Sequence, residues 1–309
     1  MAQVLGIDVG GTKVEIASIV DGRRLTPQVS PTPLEDSHTL IEGIERLARH
    51  VIDSDGQPDA IGVGVPSQID FATGTVVSSV NIPLEGVALR DELESRLGTP
   101  VFVDNDANCA ALAEAELIEG GPARHLVALT LGTGVGGGVI IDGRVFRGAT
   151  GLGAELGHMV IKFDGLPCPG ATCPNRGCIE AYCSGSALER AAGMPGEEVE
   201  KAARAGDSVA LGHLTDLGRW LGVGISNFVN MFEPERIVIG GGLGASAADL
   251  FLDTAIEEAG SRALSAGFER LKVSLAKGGS DAGVIGAGLL AQKEHALAMG
   301  ERDTAQTQT

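Results

Sequence analysis

Short apolar runs, each stopped by glycine, aspartate or asparagine, alternate along the chain with stretches whose apolar positions recur every three to four residues. Residues 4–8 and 14–20 read as strands, Asp21-Gly22 as a hairpin turn and residues 23–29 as a third strand. Leu40, Ile41, Ile44, Leu47, Ala48 and Val51 share one helical face, with Asp36 or Ser37 placed to cap it. Residues 60–65 make the next strand, closed by Pro66-Ser67, and residues 76–80 run into Asn81-Ile82-Pro83. The strand pattern Val101-Phe102-Val103 stops at Asp104-Asn105-Asp106, where an alanine-rich helix begins at once. Asn105 or Asp106 fits the N-cap of that helix. A strand end offering an amide and two carboxylates beside helix N–H groups is where open α/β folds hold ligands. The same residues also suffice as plain caps.

The second half repeats the first. A strand at 126–131, the turn Gly132-Thr133-Gly134, a strand at 135–141, Asp142-Gly143 and a strand at 144–147 follow the order met at residues 4–23. Asp8 to Asp21 spans 13 residues and Thr130 to Asp142 spans 12, so the spacing is kept to within one. Alone, each glycine turn is also an ordinary hairpin; as a pair they predict two similar lobes. In that arrangement the backbone N–H groups of Gly10, Gly11 and Thr12, and of Gly132, Thr133 and Gly134, grip phosphates. Asp8 opens the first turn, placed to hold a Mg²⁺-bound water, and Lys13 adds positive charge. A long helix over 207–232 carries Leu214, Leu217, Leu221, Ile225, Phe228 and Val229 on one side and stops before Pro234. The strand at 237–239 then meets Gly240, Gly241 and Gly242, which permit close approach of a nucleotide's adenosine or serve as a tight strand–helix turn. Residues 284–298 read as a last amphipathic helix, and residues 300–309 as a disordered tail.

Composition narrows the possible partners. A net charge of −18 argues against nucleic acid and anionic membrane, which both select a basic footprint. One Trp and one Tyr leave few platforms for base stacking. No run of 18 apolar residues and no signal-type leader is present, so a soluble, cytoplasmic protein is expected. Five cysteines in a reducing compartment predict thiols rather than disulfides, and three of them cluster. His158, Cys168, Cys173 and Cys178 fall within 21 residues and match a closed Cys₃His set, which predicts a structural zinc. Cys109 and Cys183 read as core. Glu155 and Glu180 bracket the cysteine loop, and a metal-fixed loop would hold both as acceptors for a polyhydroxy ligand. Asn81 is in reach of a substrate hydroxyl or engaged in local turn chemistry.

Taken together, Asp8-Val-Gly-Gly-Thr-Lys13, Gly62-Val-Gly-Val-Pro66, Asn105-Asp-Ala-Asn108, Leu131-Gly-Thr-Gly-Val-Gly-Gly-Gly138, Gly153-Ala-Glu-Leu-Gly-His158, Gly177-Cys-Ile-Glu180 and Ile237-Val-Ile-Gly-Gly-Gly242 resemble the ROK family (repressor, open reading frame, kinase). The motifs stand in the family's order over residues 4 to 292. The resemblance implies an α/β, two-lobed actin/hexokinase-like (ribonuclease H-like) fold with the active site in the interlobe cleft. It also implies an ATP- and Mg²⁺-dependent hexose kinase, with glucose as the expected acceptor. Asp106 resembles the catalytic base, Asn105, Glu155, His158 and Glu180 the sugar-holding residues, and Gly240 to Gly242 the adenosine motif. The lobes are expected at 1–119, joined by the helix at 284–299, and at 120–283, and a homodimer or homotetramer is implied.

Two features depart from the family pattern. Its usual Cys-x-Cys opens out here to Cys168-x4-Cys173, and Ser67 stands where Gly often follows the proline. The family also contains sugar-responsive repressors with a DNA-binding segment ahead of the first phosphate motif. Seven residues before Asp8 and the acidic charge favour a kinase, for glucose or for another hexose such as mannose, fructose or N-acetylmannosamine.

Overall fold

The computed structural model describes residues 3–20 and 23–306, with backbone alone over residues 301–306. The expected Asp21-Gly22 turn lies outside the described residues. The chain divides into two compact units. One comprises Met1–Glu116, Arg147–Gly153 and Ser280–Thr309; the other comprises Leu117–Phe146 and Ala154–Gly279.

In the first unit β1 (Val4–Val9), β2 (Lys13–Val20), β3 (Arg23–Arg24) and β4 (Gln28–Pro31) lead to helix α1 (Ser37–Asp55). There follow β5 (Ala60–Val65), β6 (Ser67–Asp70), β7 (Thr75–Ser79), α2 (Leu89–Leu97), β8 (Val101–Asn105) and α3 (Asp106–Leu117). The main sheet runs β3-β2-β1-β5-β8, with β4 also on β2, while β6 and β7 make a separate hairpin. Strand β1 is antiparallel to β2 and parallel to β5, and β5 is parallel to β8. The strand expected at 23–29 is broken. Both pieces lie on the same edge of β2, but the pairing register shifts by one residue across 25–27, where Pro27 has no N–H to donate. Asp36 rather than Ser37 caps α1, its carboxylate accepting from the Thr39 N–H at 2.8 Å. The apolar face of α1 is buried through Leu40, Ile41, Ile44, Ala48 and Val51.

The second unit repeats the hairpin-plus-parallel plan. Strands β9 (Leu126–Leu131), β10 (Val135–Ile141) and β11 (Arg144–Val145) precede helices α4 (Glu180–Cys183), α5 (Gly185–Ala192), α6 (Gly196–Arg204) and α7 (Ser208–Phe232). Then come β12 (Arg236–Gly240), α8 (Gly241–Ala247), α9 (Leu252–Gly260), α10 (Ser265–Phe268) and β13 (Lys272–Leu275). The sheet order is β11-β10-β9-β12-β13, with β9/β10 antiparallel and β12 parallel to both neighbours. Asp142 and Gly143 both take positive φ, 52° and 76°, as a two-residue Asp-Gly hairpin requires. The strand expected to reach residue 147 ends at Val145, because the chain passes into the first unit at Arg147. The predicted face of α7 is buried throughout, and Glu233 in the left-handed region ends the helix before Pro234.

The final helix, α11 (Ala282–Gln306), returns to the first unit and corrects two expectations. The helix continues through residues 300–306, which were expected to be disordered; residues 307–309 lie outside the described set. Its first turns are also not amphipathic. Ala282, Val284, Ala287, Leu289, Leu290 and Ala291 are all buried, because the helix packs on β1 and β5 and also touches α3. Gly62 makes that approach possible: a side chain there would meet the Ala287 carbonyl oxygen at 1.7 Å. No helix among the described residues is long and apolar enough to cross a membrane.

Candidate active site

Asp8, Gly64 and Asp104 stand abreast on β1, β5 and β8, since Asp8 pairs with Gly64 and Gly64 with Asp104. One residue past β8, Asp106 opens α3. A side chain at Gly64 would lie 3.2 Å from Cys109 Sγ and 3.6 Å from the Asp106 Cα, so the glycine lets the first turn of α3 pack close on β5. Asn105 is the cap of α3: its Oδ1 accepts from the N–H groups of Ala107 and Asn108 at 2.9 and 3.4 Å. Its Nδ2 donates to the Ser67 carbonyl at 3.2 Å. The amide is therefore held at both ends, with Asp106 oriented beside it and accepting from the Ala107 N–H at 2.8 Å.

Burial and the neighbouring carboxylates of Asp106 and Glu15 push Asp8 up to about 7, against an ordinary 3.8, with Lys13 opposing. Such a carboxyl is poised to trade its proton for a cation, which fits the Mg²⁺ role expected of it. Lys13 is not an isolated charge, since its Nζ lies 2.6 Å from the buried Glu15 carboxylate, which Arg24 also engages. The raised value predicts a stability effect. Between about pH 4 and 7 folded Asp8 keeps a proton that the unfolded chain has released, so stability falls as pH rises through that window. Above pH 7 the penalty is full, on the order of 4 kcal/mol for a three-unit shift. Asp8→Asn therefore raises the melting temperature of the metal-free protein at pH 8, with the gain fading as pH falls from about 7 to 4. Equal melting of the two proteins at pH 8 would show that the folded carboxyl bears no such penalty.

The first glycine turn closes with the Gly10 N–H donating to the Lys13 carbonyl at 2.9 Å, and Thr32 Oγ1 donates to the Gly10 carbonyl at 2.6 Å. Val9 pairs with Val14, so four residues form this turn; in the second unit Leu131 pairs with Val135, leaving three. This accounts for the one-residue difference in spacing between the repeats. Thr12 and Thr133, at the two tips, are exposed. Asn81 is also exposed and sits over the first turn, its Cβ 3.8 Å from where a Gly11 side chain would be.

In the second unit, Glu180 is buried and its Oε2 accepts from the Val135 N–H at 2.9 Å. A Cβ at Gly134 would meet that oxygen at 2.6 Å, so the turn residue and the glutamate are fitted to each other. Gly157, in the short 3-10 turn Leu156–His158, packs on the Val135 carbonyl from the other side. His158, Glu180 and the Gly132–Gly134 turn thus gather around one residue, while Glu155 is exposed just ahead of the 3-10 turn. Gly241 has φ +80° and lies against the Leu131 carbonyl, where a Cβ would come within 2.3 Å. That brings the start of α8 to the end of β9, and among the described residues no side chain or distant backbone atom lies within 4 Å of a side-chain position on Gly132 or Gly242.

His158, Cys168, Cys173 and Cys178 place their ligand atoms within 4.8 Å of one another. Cys173 Sγ and Cys178 Sγ are 3.9 Å apart, and Cys168 Sγ is 3.4 Å from His158 Nδ1. A zinc tetrahedron with its usual bond lengths has sulfur–sulfur edges of about 3.8 Å and slightly shorter sulfur–nitrogen edges, so the donor set fits the ion. The widened Cys168-x4-Cys173 spacing does not prevent this gathering. Burial and the neighbouring thiols push Cys178 up to about 12, a bias that a bound dication reverses. His158 Nδ1 faces the sulfurs, so a metal bound there would leave Nε2 as the ring's hydrogen-bond donor. The cluster also lies against Glu180, whose Oε1 is 4.0 Å from Cys168 Sγ.

Sequence reading missed the support behind Asp106. Asp104 is buried, and its Oδ1 accepts from the Asn105 N–H and from Asn108 Nδ2, each at 2.8 Å. Its Oδ2 accepts from Arg147 Nε at 2.7 Å. Arg147 lies 43 residues from Asp104 and looks in sequence like the end of a strand, so no local signal marks it.

The model of the ROK family matches residues 4–294. A glucokinase of Streptomyces coelicolor is 34% identical over 326 residues, covering 95% of this chain and 98% of the relative. An N-acetyl-D-glucosamine kinase of Vibrio cholerae is 34% identical over 300 residues, covering 92% and 98%. Among solved structures, the ROK hexokinase of Thermus thermophilus superposes with a TM-score of 0.86 at 36% identity, covering 94% of this chain and 98% of that one. A ROK family glucokinase of Streptomyces griseus, solved in complex with glucose and AMPPNP, gives 0.77 at 31% identity, covering 94% and 99%. The two-lobed hexokinase-like fold implied by the motifs is the fold these neighbours share. Matched from residue 4 to residue 294 by one family model and nearly end to end by full-length relatives, the chain belongs to the ROK family.

Proposed function

We propose that the protein is an ATP- and Mg²⁺-dependent kinase that phosphorylates the 6-hydroxyl of glucose. The coarser statement, a phosphotransferase with a sugar hydroxyl as acceptor, stands on the full-length relatives. One observation carries the reading furthest: Asp106 opens α3 against Gly64, near enough to Asp8 on β1 for its charge to raise the Asp8 pKa, and Asp8 leads into the Gly10–Lys13 turn. Phosphoryl transfer asks for that combination of a carboxylate to orient the attacking hydroxyl, a cation-binding carboxylate and N–H groups for phosphate. Asp106 accepts the hydroxyl proton as oxygen attacks the γ-phosphorus and ADP leaves. Asn105, Glu155, His158 through Nε2, and Glu180 hold the remaining hydroxyls; Asn81 is a further contact at the first turn. The Gly10–Thr12 and Gly132–Gly134 turns hold phosphate oxygens, and Gly240–Gly242 the adenosine side. Asp8 and Lys13 serve the metal–phosphate group, where Mg²⁺ neutralises the charge that develops on the transferring phosphoryl.

The finer choice of sugar is open to a second reading, because the N-acetyl-D-glucosamine kinase is as similar in sequence as the glucokinase. Sugar-dependent ADP release with Mg·ATP, run across glucose, mannose, fructose, N-acetylglucosamine and N-acetylmannosamine, decides between them. Glucose is expected to give the highest kcat/KM. A higher value for an N-acetylated sugar moves the assignment to that substrate, and silence on every sugar removes the kinase reading. We further propose a cytoplasmic homodimer or homotetramer that engages neither nucleic acid nor membrane, on the family resemblance and the charge of −18.

A further inference from the structure

Arg147 is the first residue of a seven-residue segment, Arg147–Gly153, that belongs to the first unit although the chain on both sides belongs to the second. Its guanidinium is largely buried and takes part in three contacts. Nε donates to Asp104 Oδ2 at 2.7 Å, Nη2 forms an ion pair with Glu294 on α11 at 3.0 Å, and the group stacks 3.6 Å over the Phe71 ring. Phe71 is fixed in turn, its N–H donating to the Thr150 carbonyl at 3.2 Å and its carbonyl accepting from Arg90 at 2.6 Å. Gly151 lies against the end of β6, where a Cβ would meet the Ile69 carbonyl at 2.3 Å. The start of β6 supplies the Ser67 carbonyl that holds the Asn105 amide. The segment thus braces the Asp104–Asn108 joint from two sides: through Asp104 directly, and through β6 to Asn105.

We propose that Arg147 is a positioning residue for phosphoryl transfer, acting through Asp104 to hold Asn105 and Asp106 in place. The proposal rests on the reading of Asp106 as the base. The physical reason is the geometry of the fork. Asp104 is buried with three accepted hydrogen bonds, and among the described residues Arg147 is the cation that pairs with it. A planar guanidinium can satisfy Asp104 and Glu294 at once while stacking on Phe71, which an ammonium cannot. Without it, the carboxylate that orders the Asn105 N–H and the Asn108 amide must turn toward another partner, and the base shifts with the backbone that carries it. Positional error of this kind lowers kcat without removing substrate contacts.

The test compares Arg147→Lys, Arg147→Met and Glu294→Gln, the last of which cuts the other arm of the fork and leaves Asp104 paired. Steady-state kinetics with Mg·ATP and the sugar that turns over best are expected to show kcat lowered about 10- to 100-fold in both Arg147 variants, with KM for sugar and ATP within about threefold. Glu294→Gln keeps kcat within about twofold, even where its melting point falls as far as that of Arg147→Lys. In the Asp104→Asn background, Arg147→Met adds less than about twofold, because the two residues act as one unit. Hydrogen exchange needs no turnover: backbone amides of residues 105–108 exchange at least about tenfold faster in Arg147→Met and at the native rate in Glu294→Gln. A kcat loss that multiplies with Asp104→Asn, or unchanged exchange at 105–108, overturns the proposal. An Asp106→Asn variant that keeps native turnover overturns the base assignment instead, while the exchange result still decides whether Arg147 orders the joint.

Discussion

Replacing Asp106 by Asn lowers kcat roughly 10²–10⁴-fold, the span that a general base contributes, and leaves sugar affinity within a few-fold of native. The substitution is clean in this structure. Asn keeps an Oδ1 that can accept from the Ala107 N–H, as Asp106 does at 2.8 Å. The cap of α3 is Asn105, so the helix start does not depend on Asp106. Removing one carboxylate from beside Asp8 also relieves part of the repulsion that holds the Asp8 proton, so the variant melts no lower than the native protein above pH 7. Titration calorimetry with glucose separates binding from turnover. Native kcat in the variant would sink the base assignment; lost binding together with lost turnover would make Asp106 a binding residue rather than the base.

The second large effect concerns zinc. About one zinc per chain co-purifies, and Cys178→Ser reduces the content to near zero. Cys178 is fully buried against the His158 carbonyl, so a serine there cannot turn outward to water. A metal bound there would hold together a loop whose own residues form little regular structure between residues 159 and 179. Its binding energy is therefore folding energy for that loop, and each kcal/mol lost is worth about 2–4 °C of melting temperature in a body of 150–250 residues. The variant is expected to melt at least several degrees lower. The kinetic signature should be a raised sugar KM, since His158 lies in the cluster and Glu180 against it. Elemental analysis showing no zinc in protein purified without chelator would refute the site. Native KM in zinc-free protein would separate the metal from sugar binding.

Much of this site was legible in the sequence because its signals are local. A glycine pair after a strand, a capping residue after a strand and a His/Cys cluster each carry their geometry within a dozen or two residues. The structure places the predicted turns, the α3 cap and the Cys₃His cluster as the pattern reading expected them. The repeat was legible for the same reason, and the two sheets share the plan it foretold. Misreadings arose where the partner is distant. Helix α11 looks amphipathic in isolation, yet its first turns, over residues 282–291, are buried nearly all round because glycines on β1, β5 and α11 itself let them sink into the unit. Residues 300–306 continue that helix, although their polar composition resembles a tail. The strand expected at 23–29 breaks around Pro27, whose missing N–H is felt only against the ladder of β2.

The sequence by itself determined the repeated strand–turn–strand units, the identity of the caps and the chemistry available at each turn, because backbone preferences and short-range hydrogen bonds act between near neighbours. The tertiary structure alone decided which charges meet. Asp8 gains its raised pKa from burial in the folded unit first and from the charge of Asp106, brought near by β5 and β8, second. Glu180 meets the Val135 N–H 45 residues away, and Arg147 meets Asp104 across 43. A carboxylate and its partner attract over ångströms of space, and the fold, not the spacing along the chain, sets that distance.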